Sequence, residues 1–424
     1  LPTVPIAMLD LLVIGAGLAG LSAALAAAEA GLRVQVVAKG MGATHWHSGA
    51  IDLLSYLPGQ AEPVADPLAA LAALPPDHPL ARLGQEQVAA ALAAFVQWPT
   101  ARGLIYNRTA DEANWLLPSA LGVPRPTWLA PQAQQAGDLR RPEPLLIVGL
   151  HGLRDFYPQW IVANLTQAGY TARSAFLSPS VITEQRDRNL VQLAGGLDQP
   201  QTVDRLAAAL RPLVRAGERV GLPPLLGLHD HGRVFAQLQT AVGAPLFEIP
   251  TPPPSVPGVR LYHALLARLA QLGVRVEIGQ EVVGVEATGS RIRAVQTATS
   301  ARPHTHRAQA FLLATGGILG GGFQSDHTGR CWETIFRLPL TIPQGRDQWF
   351  RPQFLHPAGH PVFAGGVAVN DDWQPVDGQG RLVYENLWAA GGLLAHADPI
   401  RERSFEGLTI ATGIAAAGVI VQQR

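Results

Sequence analysis

Apolar residues at the start of the chain fall in short unbroken runs, the pattern of parallel strands buried on both faces. LDLLVI (9–14) and RVQVVA (33–38) are two such runs, and LSAALAAAEAG between them reads as an Ala/Leu helix stopping at Gly31. GAGLAG occupies the turn after the first run, so the opening is a strand–turn–helix–strand unit with glycines at positions 15, 17 and 20. In such a unit Gly15 makes the tight turn, Gly17 lets backbone approach a pyrophosphate, and Gly20 lets helix pack on strand. The free N–H groups of Gly17, Leu18, Ala19 and Gly20 and the positive end of the helix dipole then face the phosphates.

Farther on, residues 60–140 are rich in Ala, Leu and Pro and predict helices joined by irregular segments. LLIVGLHG (145–152) and VGLPPLLGL (220–228) read as strands, each followed by a helical stretch. This alternation predicts an inserted α/β region with its own small parallel sheet. VRLYHALLARLAQLG (259–273) has amphipathic spacing. After it come strands of a meander, the buried run AFLLATGG (310–317), and a final Ala-rich helix from about Glu406. The predicted fold is therefore α/β: a Rossmann-like dinucleotide-binding domain, of the kind that takes FAD or NAD(P), with a β-meander, plus the inserted α/β region. We assign the discontinuous first domain to 1–75, 245–325 and 366–424, and the inserted substrate or cap domain to 76–244 and 326–365.

Composition narrows the function. At 424 residues, 47% hydrophobic and 15% charged, the chain is globular and large enough for two cores. Charges balance at 32 against 32, which leaves no basic footprint for nucleic acid. Cys331 is the single cysteine, so the chain holds neither an intrachain disulfide nor a cysteine-ligated iron–sulfur cluster. No uninterrupted apolar run reaches the roughly 18–20 residues of a membrane span. LPTVPIA before Met8 lacks the basic and apolar regions of a secretion signal. The expected location is cytoplasmic, with docking at the inner face of the cell membrane left open.

Dinucleotide sites usually place an acid about 20 residues past the first glycine, on a ribose hydroxyl. Here that position holds Ala38, followed by Lys39, which is positioned either to face a phosphate or to stay solvated. The pairs His229/His231 and His304/His306 look like ligands but fall in predicted turns, and no metal site is expected from them.

Several segments resemble the flavoproteins of the fumarate reductase and succinate dehydrogenase group. These are GATHWHSGAIDLL (42–54), RPTWL (125–129), VGLHGLRDF (148–156), PTPPPSVPGVRL (250–261), FLLATGG and ENLWAAGGLLAHADPI (385–400). More narrowly they resemble the family of B subunits of anaerobic glycerol-3-phosphate dehydrogenases, and the matches spread over nearly the whole chain. The resemblance implies bound flavin, FAD or FMN, and pairing with a homologous catalytic flavoprotein subunit. It implies oxidation of a small phosphorylated substrate, sn-glycerol 3-phosphate, to dihydroxyacetone phosphate. Electrons would leave through an iron–sulfur, membrane-anchoring subunit to quinone.

The same resemblance lays the loop 42–49 over the cofactor, with Gly42, Thr44, Ser48 and Gly49 close to it. Thr315, Gly316, Gly391, Gly407 and Leu408 complete the cofactor set. His45 falls on the family pattern and His47 does not, so His45 is the candidate base for the substrate hydroxyl. Arg260 and Arg125 match family segments and are candidates for the phosphate; Glu333 is a fainter acid. The chain departs from the pattern at RERSFEGL (401–408), where the family has a glycine- and cysteine-rich turn, and at Gly392, where many relatives hold an acid. Two other readings stay open: a flavin-holding or flavin-less structural partner of the catalytic subunit, and a stand-alone flavin dehydrogenase or reductase for another small organic acid.

Overall fold

A computed structural model describes residues 8–184, 189–300 and 302–424. The leader Leu1–Ala7 lies outside the described residues. The principal strands are β1 (Leu9–Ile14), β2 (Val34–Ala38), β3 (Trp115–Pro118), β4 (Pro124–Thr127), β5 (Leu145–Leu150), β6 (Ala172–Leu177), β7 (Arg219–Leu222), β8 (Leu246–Glu248), β9 (Arg275–Ile278), β10 (Val282–Thr288), β11 (Arg291–Thr297), β12 (His304–His306), β13 (Ala308–Leu313) and β14 (Leu387–Ala389). The principal helices are α1 (Leu18–Glu29), α2 (Pro79–Phe95), α3 (Pro158–Gln167), α4 (Pro200–Leu210), α5 (His231–Val242), α6 (Val256–Gln271) and α7 (Phe405–Gln422).

The chain forms two compact units. The first comprises Leu1–Ala43, Leu53–Phe95 and Leu265–Arg424. Its five-stranded sheet runs β9-β2-β1-β13-β14 with every pairing parallel. Leu11, Leu12 and Val13 of β1 are wholly buried because neighbours cover both faces of a central strand. The antiparallel meander β10-β11-β12 belongs to the same unit. α7 is long and apolar enough to cross a membrane by length and composition, which the expectation of no spanning run did not anticipate. In this fold it is a core helix: a Cβ on its Gly413 would stand 2.4 Å from the carbonyl oxygen of Ala19 on α1.

The second unit comprises Thr44–Asp52 and Val96–Ala264. Its sheet runs β8-β7-β5-β6, again all parallel, around a core that includes Leu146, Val148, Val220 and Leu246. The inserted α/β region was thus legible in the alternation of apolar runs. Its boundaries were not: 76–95 and 326–365 group with the nucleotide-binding sheet, and 44–52 and 245–264 group with the insert. Local composition does not report which unit a loop's long-range contacts join. The stretch read as helices with irregular joints also contains an antiparallel hairpin, β3–β4, which pairs Leu117 with Arg125. Pro124 and Pro126 hid it, since proline is tolerated only at strand edges.

Candidate functional site: a phosphate cradle and a polar loop

In the first unit, β1 ends at Gly15, whose φ is +121° and whose hypothetical Cβ would stand 2.2 Å from the oxygen of Ala314. Only glycine lets the ends of β1 and β13 come this close. A Cβ on Gly20 would meet the Gly15 oxygen at 2.0 Å, so this glycine serves helix-on-turn packing. Gly17 differs. It is the N-cap of α1 with no side-chain cap bond, and a Cβ there meets no atom within 4 Å. No acidic residue lies in the first turn. The helix therefore opens on unclaimed N–H groups beside free space, the arrangement that receives a phosphate.

Other parts of this unit close around the same turn. A Cβ on Gly42 (φ +69°) would stand 2.7 Å from Cα of Gly17, which places the 39–43 backbone directly against the cradle. Gly391 packs on Ala19, and its N–H donates to Oγ1 of Thr412 at 3.0 Å. Thr315 Oγ1, next to Gly316 at the end of β13, is sealed from solvent and has no partner among the described residues. Ser22 Oγ on α1 is likewise buried and unpartnered. Orphaned hydroxyls are uncommon in folded interiors and mark places where another group completes the bonding. These residues fit a flavin nucleotide.

Lys39 corrects the expectation of a phosphate contact. Its Nζ pairs with Glu281 at 2.8 Å on the exposed end of β2. Lys39→Ala is expected to change stability by less than about 1 kcal/mol, as for other exposed pairs. Flavin content, read by absorbance, should stay at the wild-type level. Gly407 and Leu408 are buried in the first turn of α7, with Glu406 beside them. Gly392 faces the Phe405 ring, whose Cε2 lies 3.2 Å from a hypothetical Cβ, so a side chain at 392 would require the ring to give by a few tenths of an ångström.

In the second unit the loop 44–49 is clamped to the start of α6. A Cβ on Gly258 would stand 2.7 Å from the Thr44 oxygen and 2.9 Å from that of His47, and Gly49 (φ +82°) touches Pro257. Ser255 Oγ donates to the His47 carbonyl at 2.7 Å, Tyr106 to that of Gly49 at 2.7 Å, and Gln134 to that of Ser48 at 2.8 Å. The rare PPPSVPG run thus has a physical purpose: it holds a histidine loop. Ser48 spends its hydroxyl locally, accepting from Ala50 N–H at 3.3 Å. Thr44 Oγ1 and His45 Nδ1 are sealed and have no partner among the described residues. The His45 ring meets Trp46 edge-on at 5.3 Å and lies 6.2 Å from Tyr262. Burial lowers its pKa, which leaves the ring neutral and able to accept a proton near pH 7.

The two arginine candidates separate. Arg260 is corrected to a structural residue. Its Nη1 and Nη2 grip Glu248 at 2.6 and 3.0 Å, and its Nε donates to the Gly227 carbonyl at 2.6 Å. Both side chains are almost wholly buried. Arg125 spends only part of its guanidinium: Nη1 reaches Asp52 at 3.1 Å, while Nη2 is sealed and unpartnered. Thr127 also donates to Asp52 through a short bond. Glu333 is a turn-holding group in the first unit, its carboxylate accepting from the N–H groups of Ile335 and Phe336 at 2.9 and 2.6 Å. The histidine pairs are not both turns. His231 opens α5, and His304 and His306 lie on β12, where they approach Glu277 of β9.

The sequence matches the model of the FAD binding domain over residues 10–406. The chain belongs to that family of flavoproteins, a flavin-dependent class of oxidoreductases. It is 34% identical over 419 residues to the probable B subunit of the anaerobic glycerol-3-phosphate dehydrogenase of Halobacterium salinarum, covering 96% of each chain. To the B subunit of the anaerobic glycerol-3-phosphate dehydrogenase of Yersinia enterocolitica it is 33% identical over 427 residues, covering 97% of this chain and 98% of that one. Within the flavoproteins, the chain therefore belongs to the family of B subunits of anaerobic glycerol-3-phosphate dehydrogenases. A solved 3-ketosteroid Δ1-dehydrogenase from Sterolibacterium denitrificans aligns over 98% of this chain and all of its own (100%), at 13% identity and a TM-score of 0.46, too low to add to the assignment.

Proposed function

We propose that this chain is a flavin-binding subunit of a complex that oxidises sn-glycerol 3-phosphate to dihydroxyacetone phosphate. The observation that carries the reading is the uncapped start of α1, with free space over Gly17 and the Gly42 backbone closing beside it. The names of relatives that align along almost the whole chain support the substrate. Gly17, Leu18, Ala19, Gly20 and Gly42 would hold the phosphate of the cofactor, and Thr315 its sugar side. Bound flavin supplies a two-electron hydride acceptor. Oxidation removes a hydride from C2 of the substrate and a proton from its hydroxyl, and His45 is the group that takes the proton. With no second cysteine the chain needs an iron–sulfur partner to carry electrons onward to quinone, and this partner would hold the complex at the inner face of the cell membrane.

Absorbance of the purified chain, followed by anaerobic addition of sn-glycerol 3-phosphate, tests the reading. Bleaching of bound flavin supports it, and a colourless protein that cannot be reconstituted with FAD or FMN overturns it. His45→Ala should keep its flavin while reduction by substrate slows about 10²- to 10⁴-fold, the usual contribution of a positioned base. Reduction at the wild-type rate would remove His45 from the mechanism. The Phe405 ring over Gly392 favours a second reading, in which this chain holds flavin and a homologous catalytic subunit does the chemistry. In that case only the complex bleaches.

A further inference from the structure

The histidine outside the family pattern is the one whose hydrogen bonding is most sharply defined. His47 Nδ1 accepts a hydrogen bond from the Gly49 N–H at 2.9 Å. A ring nitrogen that accepts carries no proton, so the neutral ring must carry its proton on Nε2. That Nε2 is sealed from solvent and meets no acceptor among the described residues. A sealed donor without an acceptor is costly and points to a group that arrives from outside the chain.

Arg125 presents the same situation. Asp52 takes its Nη1, and Thr127 takes part of the capacity of that carboxylate, so Asp52 positions the guanidinium without consuming it. Nη2 remains sealed and meets no acceptor among the described residues. Residues 44–52 and the β3–β4 hairpin belong to the same unit: Ile51 bridges to Leu129 just past β4, Asp52 of the loop holds Arg125, and the charge of Arg125 reaches the His47 ring. Lysine would serve poorly at position 125, because only a fork can bind Asp52 with one arm and present the other.

We infer that the Nε2–H of His47 and the free Nη2 of Arg125 form a two-donor receptor for the phosphate of a small phosphomonoester. The inference deepens the proposed function, since sn-glycerol 3-phosphate is such an ester. It also reassigns the phosphate contact from Arg260, each of whose three nitrogens already holds a protein partner, to a pair that contains a residue absent from the family pattern. Burial, then the positive charge of Arg125, then His45 hold the His47 pKa down at about 3, in keeping with a neutral donor. His45 and His47 then have opposite duties: the first accepts a proton, the second donates a hydrogen bond.

The test uses the flavin-loaded protein and inorganic phosphate as the probe, with binding read by isothermal titration calorimetry and flavin content by absorbance. His47→Asn puts an amide oxygen where Nδ1 was, which keeps the Gly49 bond and removes the Nε2 donor. His47→Gln puts an amide N–H near the Nε2 position. Phosphate affinity should fall at least tenfold in His47→Asn and Arg125→Lys and recover in part in His47→Gln, with flavin content unchanged. For sn-glycerol 3-phosphate, KM should rise by a similar factor and kcat should move little. Wild-type phosphate affinity in His47→Asn overturns the inference, as does failure of the wild type to bind phosphate. Flavin loss in step with lost phosphate affinity also overturns it, because the donors then serve the cofactor. If phosphate binds as expected while sn-glycerol 3-phosphate leaves the flavin oxidised, the receptor stands and only the proposed substrate fails.

Discussion

Replacing Gly17 with alanine is expected to leave the protein folded and to lower its flavin affinity roughly 10- to 100-fold. The added methyl meets no protein atom within 4 Å, and Gly17 is extended at φ −81°, ψ −179°, a conformation any residue adopts. The protein itself therefore does not require glycine at this position. A nucleotide phosphate over the N-terminus of α1 does, because the methyl stands between it and the N–H groups, and steric intrusion of this kind costs about 1–3 kcal/mol. Thermal melting of the apoprotein and flavin titration separate the two effects. Gly20→Ala is the contrast: its methyl would lie 2.0 Å from the Gly15 oxygen, so that variant should lose its fold together with its flavin. Equal flavin affinity in Gly17→Ala and wild type would show that the cradle holds nothing.

Removing Arg260 is expected to cost about 3–5 kcal/mol of stability while the fold is retained. Alanine at 260 strands the carboxylate of Glu248, which is 3% exposed and accepts two bonds from the guanidinium. Glu248→Ala strands the guanidinium in the same way. The double variant should be less destabilised than the sum of the singles, since no unpaired charge remains. Chemical denaturation of the four proteins measures the coupling. A folded Arg260→Ala with near-normal stability and sharply weaker phosphate binding would return Arg260 to the substrate site and contradict the structural pair.

The phosphate cradle was legible in the sequence because its requirements are local. Gly15, Gly17 and Gly20 sit within one turn, and their spacing alone distributes the work of turning, approaching and packing. The alternation of apolar runs likewise announced both parallel sheets. The polar loop 44–49 was legible only as a collection of residue types. Two imidazoles stand two positions apart in THWHSG, and nothing in the letters says which one keeps a free lone pair. The Gly49 N–H decides it by occupying Nδ1 of His47. The family pattern directed attention to His45 and away from the better-defined donor. A buried residue outside a pattern could have been found only by asking where its hydrogen bonds go.

Charged residues illustrate the same division. Arg125, Arg260 and Lys39 all looked available for a phosphate. Glu281 neutralises Lys39 across 242 positions, Glu248 engages both terminal nitrogens of Arg260, and Asp52 takes one arm of Arg125 across 73. By itself the chain determined that it would build a nucleotide cradle and a second parallel sheet, since backbone geometry and alternating burial are written into neighbouring residues. Which cation remained free for a ligand was decided only by tertiary structure. Electrostatic partners are chosen by distance in space, and folding brings together carboxylates and guanidiniums that the sequence keeps far apart.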